Sequence, residues 1–439
     1  KSGRSGKMTD IEKFCKMISI PTIAGRDDKR FDEFHETLKE CFPLVHKNLK
    51  KIKLDGKALL FHWEGKKNDR SLVLMAHQDV VDANEEEWTS NPFKAEVRED
   101  KIYGRGTIDC KNVVFAILTA VERKLEENFV PEQDIYISLS DNEEIGGDGC
   151  AKSVAWFKSN NISPYVSLDE GGAIEVSDIT NKEYAMVGVL EKGYIDVTFT
   201  AKAEGGHSSQ PGEDTPIERL AGLVREISEL DKKGKLFKED LSHVTREMYA
   251  IMAKDLPFKE RKKYEDKKQL IKTLKSMDSK NKAMTQSTIV FTMMQGATAP
   301  NIIPSKAFMT ANIRISPWDD KEAIVSKLKT IADKHNVILT EQNARNCSNL
   351  AKTDSDAYQL LSNTIKSVYN NEVGVVPFML FGGTDSRVME ECVKYAFRCT
   401  PLRLSNDELS RMHGKDECVP IKSLLDSVTF FEKYISEYK

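Results

Sequence analysis

The sequence lacks the features that would assign it to several large classes of protein. It has no apolar run of about 18 residues, so it contains no candidate membrane-spanning helix. Its formal net charge is only −4 over 439 residues, and this weak acidity argues against a nucleic-acid-binding surface. It contains no internal repeat and no low-complexity tract. With 40% hydrophobic and 31% charged residues, the composition is typical of a globular protein.

The cysteines and the N-terminus also lack familiar patterns. The eight cysteines form no C-x-x-C pair and no compact framework, which predicts reduced thiols in a cytoplasmic enzyme. They lie at positions 15, 41, 110, 150, 347, 392, 399 and 418. Residues 1–7, KSGRSGK, have no apolar core and do not begin with Met. We therefore expect a cloning remnant before a native Met8 rather than a secretory signal.

The first chemical signal lies in the stretch SLVLMAHQDVV, residues 71–81. Its apolar run from Leu72 to Ala76 predicts a buried strand. Because side chains alternate along a strand, His77 and Asp79 would share a face at its carboxyl end, where open α/β sheets bind ligands. An aspartate at this spacing can hold an imidazole in one tautomer while its other nitrogen binds a metal. Taken alone, the pair could equally be two solvated side chains at an ordinary strand end.

The length and the order of the predicted elements indicate two domains. A chain of 439 residues is too long for one ordinary core. Strands and helices alternate through its first part, which predicts a mixed, mostly parallel sheet flanked by helices. Near Gly188 the order changes to βαββαβ, which is typical of a ferredoxin-like unit. We therefore expect a catalytic domain over residues 8–186 and 343–439, with an inserted lid domain over residues 187–342.

An extra segment, residues 231–286, separates the first helix of the predicted lid from its second strand. Its stretch KERKKYEDKK, residues 259–268, is mostly charged. Such a run is typical of a solvated helical face, and a basic site for a partner is the alternative.

Metal-type ligands come from four separate segments, three of them at or just beyond predicted strand ends, and a fifth segment lies near the C-terminus. The segments contribute His77 with Asp79, Asp109, Glu143 with Glu144, Asp169 after a short predicted strand at 165–168, and His413. Carboxylates mixed with imidazole suit zinc, or manganese or cobalt. Two histidines with several carboxylates fit two metals that share one carboxylate and activate a water between them. In the pair Glu143–Glu144, a spare carboxylate beside a ligand could move the proton of that water to the leaving group.

Eight motifs together carry a family resemblance. They are HQDVV at 77–81, GRGTID at 104–109, DNEEIGG at 141–147, SLDEGG at 167–172, GGHSSQP at 205–211, APNIIP at 299–304, GGTDSR at 382–387 and HGKDE at 413–417. In combination they resemble the co-catalytic di-zinc metallopeptidase family of glutamate carboxypeptidase, aminoacylase, acetylornithine deacetylase and succinyl-diaminopimelate desuccinylase. The resemblance covers nearly the whole chain from about Met8. It implies a zinc-peptidase-like catalytic domain with an inserted ferredoxin-like α+β lid.

The resemblance also implies a role for each ligand. One zinc ion would be held by His77 and Asp169, and the other by Glu144 and His413. Asp109 would bridge the two ions.

Further roles follow from the same resemblance. Asp79 would orient His77, and Glu143 would be the general base. His207 resembles a family histidine that stabilises the tetrahedral oxyanion, often from the partner subunit of a dimer, and such stabilisation is usually a large effect. Four residues match positions that contact substrate or line its cleft, namely Asn301, Arg314, Gly382 and Gly383. Arg314 is suited to a carboxylate. Asp416 and Glu417 would support the loop of His413.

The expected activity is hydrolysis of a peptide or N-acyl amide bond next to a free carboxylate. A dipeptidase or carboxypeptidase and an N-acyl amino acid amidohydrolase remain alternatives, because the ligand set is the same for both. A non-catalytic relative that binds a peptide or metabolite is a third possibility. The resemblance also implies a homodimer formed through the lid, although the extra segment could cover that surface. Finally, the peptide bond that follows the bridging aspartate is often cis in relatives, so we expect a cis bond between Asp109 and Cys110.

Overall fold

The structure is a computed structural model that describes residues 8–439. The expected cloning remnant, residues 1–7, lies outside the described residues. By its internal contacts the chain divides into two compact units. Unit 1 ends at Val189 and resumes over Leu350–Phe378 and Thr384–Lys439, and unit 2 comprises Leu190–Asn349 and Met379–Gly383. No helix within residues 8–439 is long and apolar enough to cross a membrane.

The strands of the described chain are numbered from its N-terminal end. They are β1 Lys50–Ile52, β2 Leu59–Trp63, β3 Lys67–His77, β4 Glu96–Arg98, β5 Lys101–Tyr103, β6 Gln133–Ser140, β7 Val166–Val176, β8 Glu183–Glu191, β9 Gly193–Lys202, β10 Gly206–His207, β11 Thr288–Gln295, β12 Ile302–Ile303, β13 Lys306–Ile315, β14 Ile338–Arg345, β15 Gly374–Leu380, β16 Tyr395–Arg403 and β17 Cys418–Pro420.

The helices are numbered in the same way. They are α1 Asp10–Ile18, α2 Asp28–Cys41, α3 Pro43–Asn48, α4 Lys111–Glu126, α5 Gly149–Ser159, α6 Pro216–Lys232, α7 His243–Ala253, α8 Phe258–Glu265, α9 Lys267–Met277, α10 Ser279–Ala283, α11 Lys321–Lys334, α12 Asp356–Val368, α13 Ser386–Met389, α14 Asn406–Ser410 and α15 Ile421–Glu437. Thr9 and Thr215 begin α1 and α6 with capping boxes, in which the carboxylate of a glutamate three residues later accepts from the backbone N–H of the cap residue.

The central sheet has the order β1-β2-β6-β3-β7-β16-β8-β15. Its middle is parallel, because β3 runs parallel to both β6 and β7, and β7 runs parallel to β16. The outer strands β1 and β2 are antiparallel. Helices such as α4 and α15 pack against the strands, α4 on β3 and α15 on β16. The prediction of a mixed, mostly parallel sheet flanked by helices is therefore confirmed.

The strand β3 ends as the sequence predicts. Every residue from Ser71 to His77 is buried, and His77 lies in register with Ser140 at the end of β6. The carboxyl ends of these two parallel strands therefore meet at one edge of the sheet, where the next residues of each strand are polar.

Unit 2 contains a four-stranded antiparallel sheet in the order β11-β13-β9-β14. Strands β9 and β13 contribute alternate side chains, among them Ile195, Val197 and Phe199, to a core that α6 and α11 cover with Leu223, Ile227 and Leu328. The element order β9-α6-β11-β13-α11-β14 gives the ferredoxin-like arrangement, so this prediction is also confirmed. The predicted lid, residues 187–342, falls largely within unit 2.

The extra segment folds into the four helices α7 to α10. The buried side chain of Lys192 connects the end of this segment to the start of the four-stranded sheet of unit 2. Lys192 Nζ donates to the backbone carbonyls of Ala283 at 2.6 Å and Gln286 at 2.7 Å. The segment is therefore bonded to the lid core and is not a detached appendage.

Candidate metal centre

Four of the five predicted metal ligands meet at the carboxyl edge of the central sheet. His77 ends β3, Asp109 lies in the loop after β5, Glu144 follows β6, and His413 precedes β17. His77 Nε2 lies 2.8 Å from Asp109 Oδ1, and His413 Nε2 lies 3.0 Å from Asp109 Oδ2. His413 Nε2 also lies 3.1 Å from Glu144 Oε2. Asp109 therefore contacts both histidines, one with each carboxylate oxygen.

The potential ligand atoms form two groups that share Asp109. The first group contains His77, Asp109, Cys110 and Glu170, and the second contains Asp109, Glu144 and His413. Within each group the ligand atoms lie within 4.8 Å of one another. Imidazole and carboxylate donors suit zinc and similar divalent ions, and a carboxylate shared by two ligand sets is what a dinuclear site needs. The residues present therefore fit a pair of metal ions.

Asp169, the fifth predicted ligand, makes other contacts in the structure. Among the described residues, Asp169 belongs to neither ligand group, whereas Glu170 belongs to the first, with its Oε1 3.7 Å from His77 Nε2. Asp169 instead accepts hydrogen bonds from the backbone N–H of Glu170 at 2.9 Å and of Ser386 at 2.8 Å. Asp169 as a metal ligand stays a prediction, and Glu170, its neighbour in the sequence, is a second candidate that the sequence analysis did not name.

Asp79 orients both His77 and the turn that carries the two glutamates. His77 Nδ1 lies 2.9 Å from the carbonyl oxygen of Asp79 and 3.3 Å from its Oδ1. A carbonyl only accepts, so Nδ1 carries the proton and Nε2 is left to bind a metal. The carboxylate of Asp79 also accepts from the backbone N–H groups of Glu143 at 3.1 Å and Glu144 at 3.0 Å. The fully buried carboxylate of Asp79, just after β3, thus holds the backbone of the turn that follows β6.

Glu143 lies beside the two groups without belonging to either in the described chain. Its Oε2 lies 3.9 Å from His77 Nε2, and its side chain is 17% exposed. Burial, together with the nearby charges of Asp385, Asp109 and Glu144, raises the pKa of Glu143 well above its usual value. A carboxyl group of this kind can hold and return a proton near neutral pH.

The pKa values of Asp109 and His413 are shifted in the directions that favour their charged forms. Burial opposes ionisation of Asp109, but its hydrogen bonds with His413 and His77 outweigh burial and lower the pKa of this carboxyl group. The same hydrogen bond to Asp109, with that to Glu144, raises the pKa of His413 to about 10. Charge-assisted hydrogen bonds between the ligands themselves therefore hold the centre together.

Two further expectations for this region agree with the structure. The peptide bond between Asp109 and Cys110 is cis. Asp416 supports the local loops, because its carboxylate accepts from the backbone N–H and the hydroxyl of Thr89, both at 2.8 Å. Cys110 was not among the predicted ligands, and its Sγ accepts from the backbone N–H of His77 at 3.2 Å.

The other predicted site residues all belong to unit 2. His207 is exposed in β10, which pairs with β12, and the backbone N–H of Ser208 donates to the carbonyl of Asn301 at 3.1 Å. His207 and Asn301 are therefore neighbours on the surface of unit 2. Arg314 Nε donates to Asn312 Oδ1 at 3.0 Å, and Nη1 donates to the carbonyl of Phe381 at 3.4 Å, directly before Gly382 and Gly383.

Together, the fold and these ligand groups define a candidate dinuclear metal centre in an α/β protein with an inserted lid. The profile of Peptidase family M20/M25/M40 matches residues 73–437, and the chain belongs to this family. It is a hydrolase that acts on C–N bonds. The family resemblance and the enzyme class expected from the sequence are thereby confirmed.

Individual relatives and a solved structure support this assignment. The chain is 30% identical to "Probable carboxypeptidase S-like 2" of Dictyostelium discoideum, covering 98% of this chain and 86% of that protein. It is also 30% identical to "N-fatty-acyl-amino acid synthase/hydrolase PM20D1" of Mus musculus, covering 95% and 85%. The crystal structure of the M20 family metallo-carboxypeptidase Sso-CP2 from Sulfolobus solfataricus matches with a TM-score of 0.73 at 19% identity, covering 98% of this chain and 99% of that one.

Proposed function

We propose that this chain is a di-zinc hydrolase that cleaves a peptide or N-acyl amide bond next to a free carboxylate. The observation that carries the proposal is the position of Asp109, whose two carboxylate oxygens face two different histidines and join two ligand groups. Cobalt or manganese would suit the same donors.

The ligands divide naturally between two ions. His77, Glu170 and Asp109 would hold one, and Asp109, Glu144 and His413 would hold the other. When bound, the ions would polarise the substrate carbonyl and make a water molecule more acidic.

In this mechanism Glu143 carries the proton. Its carboxylate takes a proton from the attacking water and then gives it to the leaving amine, so that one group acts as base and then as acid. Its burial and raised pKa support this role, because the protonated form must be accessible near neutral pH. Asp79 keeps Glu143 in place through the backbone hydrogen bond, and it keeps His77 in the tautomer whose Nε2 faces Asp109.

Unit 2 would supply the groups that recognise the substrate. We assign oxyanion stabilisation to His207 and substrate contacts to Asn301, which lies beside it. Arg314 would bind the free carboxylate, and the glycines at 382 and 383 would line the cleft. A Cβ added at Gly382 would meet nothing within 4 Å, so this part of the loop is open. A homodimer through the lid and a cytoplasmic location remain predictions.

Two substrate classes fit the proposal. The name of the Dictyostelium relative favours a carboxypeptidase, and that of the mouse relative favours hydrolysis of an N-acyl amino acid. In both classes a free carboxylate lies close to the cleaved C–N bond, which is the feature that an arginine such as Arg314 would recognise.

Hydrolysis of a mixed pool by the zinc-loaded protein tests the proposal. The pool would contain dipeptides, N-acetyl amino acids and N-fatty-acyl amino acids, and mass spectrometry would follow each member. We expect selective loss of one class with the wild type and nearly none with Glu143→Ala, although both proteins bind metal. Glu122→Gln is the matched control, because Glu122 is a buried carboxylate that bonds only backbone N–H groups of α3 in its described contacts.

Two outcomes would contradict the proposal. Normal turnover by Glu143→Ala would remove Glu143 from the proton-transfer role. No loss of any pool member, with metals confirmed bound, would favour a protein that uses its site to bind a peptide or metabolite without cleaving it.

A further inference from the structure

Glu417 is a buried carboxylate that the proposed mechanism leaves without a role. Its side chain is 0% exposed. Its Oε1 accepts from the backbone N–H groups of Ile108 at 2.7 Å and Asp109 at 3.1 Å. Its Oε2 accepts from the backbone N–H of Gly106 at 3.2 Å. One carboxylate therefore binds three backbone groups of the loop that presents Asp109, the ligand common to both groups.

Arg105 connects the same carboxylate to the second loop of the centre. Its Nη1 donates to Glu417 Oε2 at 2.8 Å, and its side chain is only 3% exposed. Its Nη2 donates to the carbonyl oxygen of His413 at 3.4 Å. The guanidinium group of Arg105 therefore lies between the carboxylate of Glu417 and the backbone carbonyl of His413.

A small sheet brings the two loops together. Strand β5 pairs with β17, with Tyr103 opposite Cys418, and the backbone N–H of Gly104 donates to the carbonyl of Glu417 at 2.9 Å. The Asp109 loop begins where β5 ends, and Glu417 lies where β17 begins. The ion pair therefore occupies the junction of two segments, and its two residues lie 312 positions apart in the sequence.

We infer that Arg105 and Glu417 form a positioning pair, which holds Asp109 and His413 at the separation that the second metal ion requires. The inference rests on the metal centre proposed above. Both members of the pair contact the loops and neither belongs to a ligand group, so they act through other residues. Buried ion pairs contribute little net stability compared with apolar packing, and one that bonds backbone groups of two loops is suited to fixing geometry. Groups that orient metal ligands in this way typically change metal affinity 10–100-fold when they are replaced.

Two substitutions separate positioning from simple packing. Glu417→Gln keeps the size of the side chain, but its amide N–H groups face donors where Oε2 accepted from Gly106 and Arg105. Arg105→Lys keeps a positive charge for Glu417 but removes the second arm that reaches the carbonyl of His413. Glu122→Gln is again the matched control, since Glu122 is 4% exposed and accepts from two backbone N–H groups in the same unit.

The test is a titration of chelator-treated protein with Co²⁺, followed by calorimetry and by visible absorbance, which reports the coordination of each ion. We expect the wild type and Glu122→Gln to bind two ions per chain with the same affinities. In Glu417→Gln and Arg105→Lys, one of the two ions should bind about 10–100-fold more weakly, with an altered absorbance spectrum. Unfolding temperatures of all metal-free variants would be measured alongside.

Each contrary result has a separate meaning. If folded Glu417→Gln and Arg105→Lys bind both ions with wild-type affinity, the inference is wrong and the proposed function stands. If Glu122→Gln weakens ion binding as much as Glu417→Gln does, the effect is a general loss of stability and the inference is again wrong. If the wild type binds fewer than two ions, the dinuclear centre itself is wrong. If Glu417→Gln does not fold, the metal affinities of Arg105→Lys compared with those of the wild type test the inference.

Discussion

The two units hold their proposed functional residues in opposite ways. In unit 1, His77 and Asp79 are almost completely buried, and their hydrogen-bond partners come from loops far apart in the sequence. In unit 2, His207 is exposed, and its ring nitrogen Nδ1 bonds to Ser209, two residues away. The first arrangement fixes geometry through many mutual constraints, whereas the second depends on a short local turn.

This difference suggests a division of labour. Metal ligands must keep their positions within fractions of an ångström, which requires packed and hydrogen-bonded support. A group that meets the substrate can be supported by a local turn, because substrate binding can complete its environment. We therefore expect substitutions in unit 1 to change metal binding or chemistry, and substitutions at His207 to change turnover alone.

The largest effect is expected at Glu143. Glu143→Gln removes the proton carrier while keeping the size of the side chain, so kcat should fall about 10²–10⁴-fold. Metal content should stay at the wild-type level, because Glu143 belongs to neither ligand group in the described chain. Steady-state kinetics and elemental analysis of the same preparation would check this, and a loss of metal in the variant would contradict the assignment.

The next effect tests the contrast between the units directly. His207→Ala should lower kcat roughly 10²–10³-fold, because it removes a donor for the developing oxyanion. Its metal affinity and unfolding temperature should match the wild type, since His207 is exposed and bonded within its own turn. Ser209→Ala, which removes the partner of the imidazole, is the control for its orientation. A His207→Ala enzyme with normal kcat would remove the residue from the mechanism.

The neighbouring carboxylates Asp169 and Glu170 in β7 allow a test of which one is a direct metal ligand. Glu170→Gln should weaken binding of one metal ion about 100-fold, because it removes a direct ligand. Asp169→Asn should lower metal affinity only about tenfold, because it disturbs the hydrogen bonds of Asp169 to the backbone of Glu170 and Ser386. Calorimetric titration of each variant with Zn²⁺ would compare them. A larger loss of Zn²⁺ affinity in Asp169→Asn than in Glu170→Gln would identify Asp169 as the ligand.

The smallest expected effect is a pH dependence of stability in the metal-free protein. Hydrogen bonds to Asp109 and Glu144 raise the pKa of His413 to about 10, above the value of about 6.5 for an unfolded histidine. Protonated His413 therefore favours the folded state, and this contribution is complete below about pH 6.5 and disappears as the pH rises through about 10. The difference in unfolding temperature between wild type and His413→Ala should shrink across this range, and a difference that grows with pH would contradict the assignment.

Much of the centre could be predicted from sequence because its chemistry is local. The apolar run of β3 and the spacing of His77 and Asp79 predict both the strand and the face that its polar residues share. The position of Glu143 next to Glu144 likewise predicts a ligand with a neighbouring base. Each of these features depends on a few consecutive residues, and the alternation of side chains along a strand predicts the face on which they lie.

The parts of the site that a local sequence pattern does not determine depend on register and on long-range contacts. The sequence predicted a strand at 165–168 that ends before Asp169, but β7 continues to Val176, and its pairing with β16 shifts register between Asp169 and Gly172. The choice between Asp169 and Glu170 depends on this irregularity. The backbone N–H of Ile108 donates to the Glu417 carboxylate across 309 positions of the sequence, and no local pattern predicts such a pair.

The order of the ligands along the chain has a consequence for how the protein is made. The first group is complete once residue 170 has been synthesised, but the second requires His413, and the support from Glu417 comes later still. During translation, the Asp109 loop therefore lacks its hydrogen bonds to Glu417 until residue 417 has been synthesised. A chain that ends before residue 413 lacks the second ligand group and so has only one of the two.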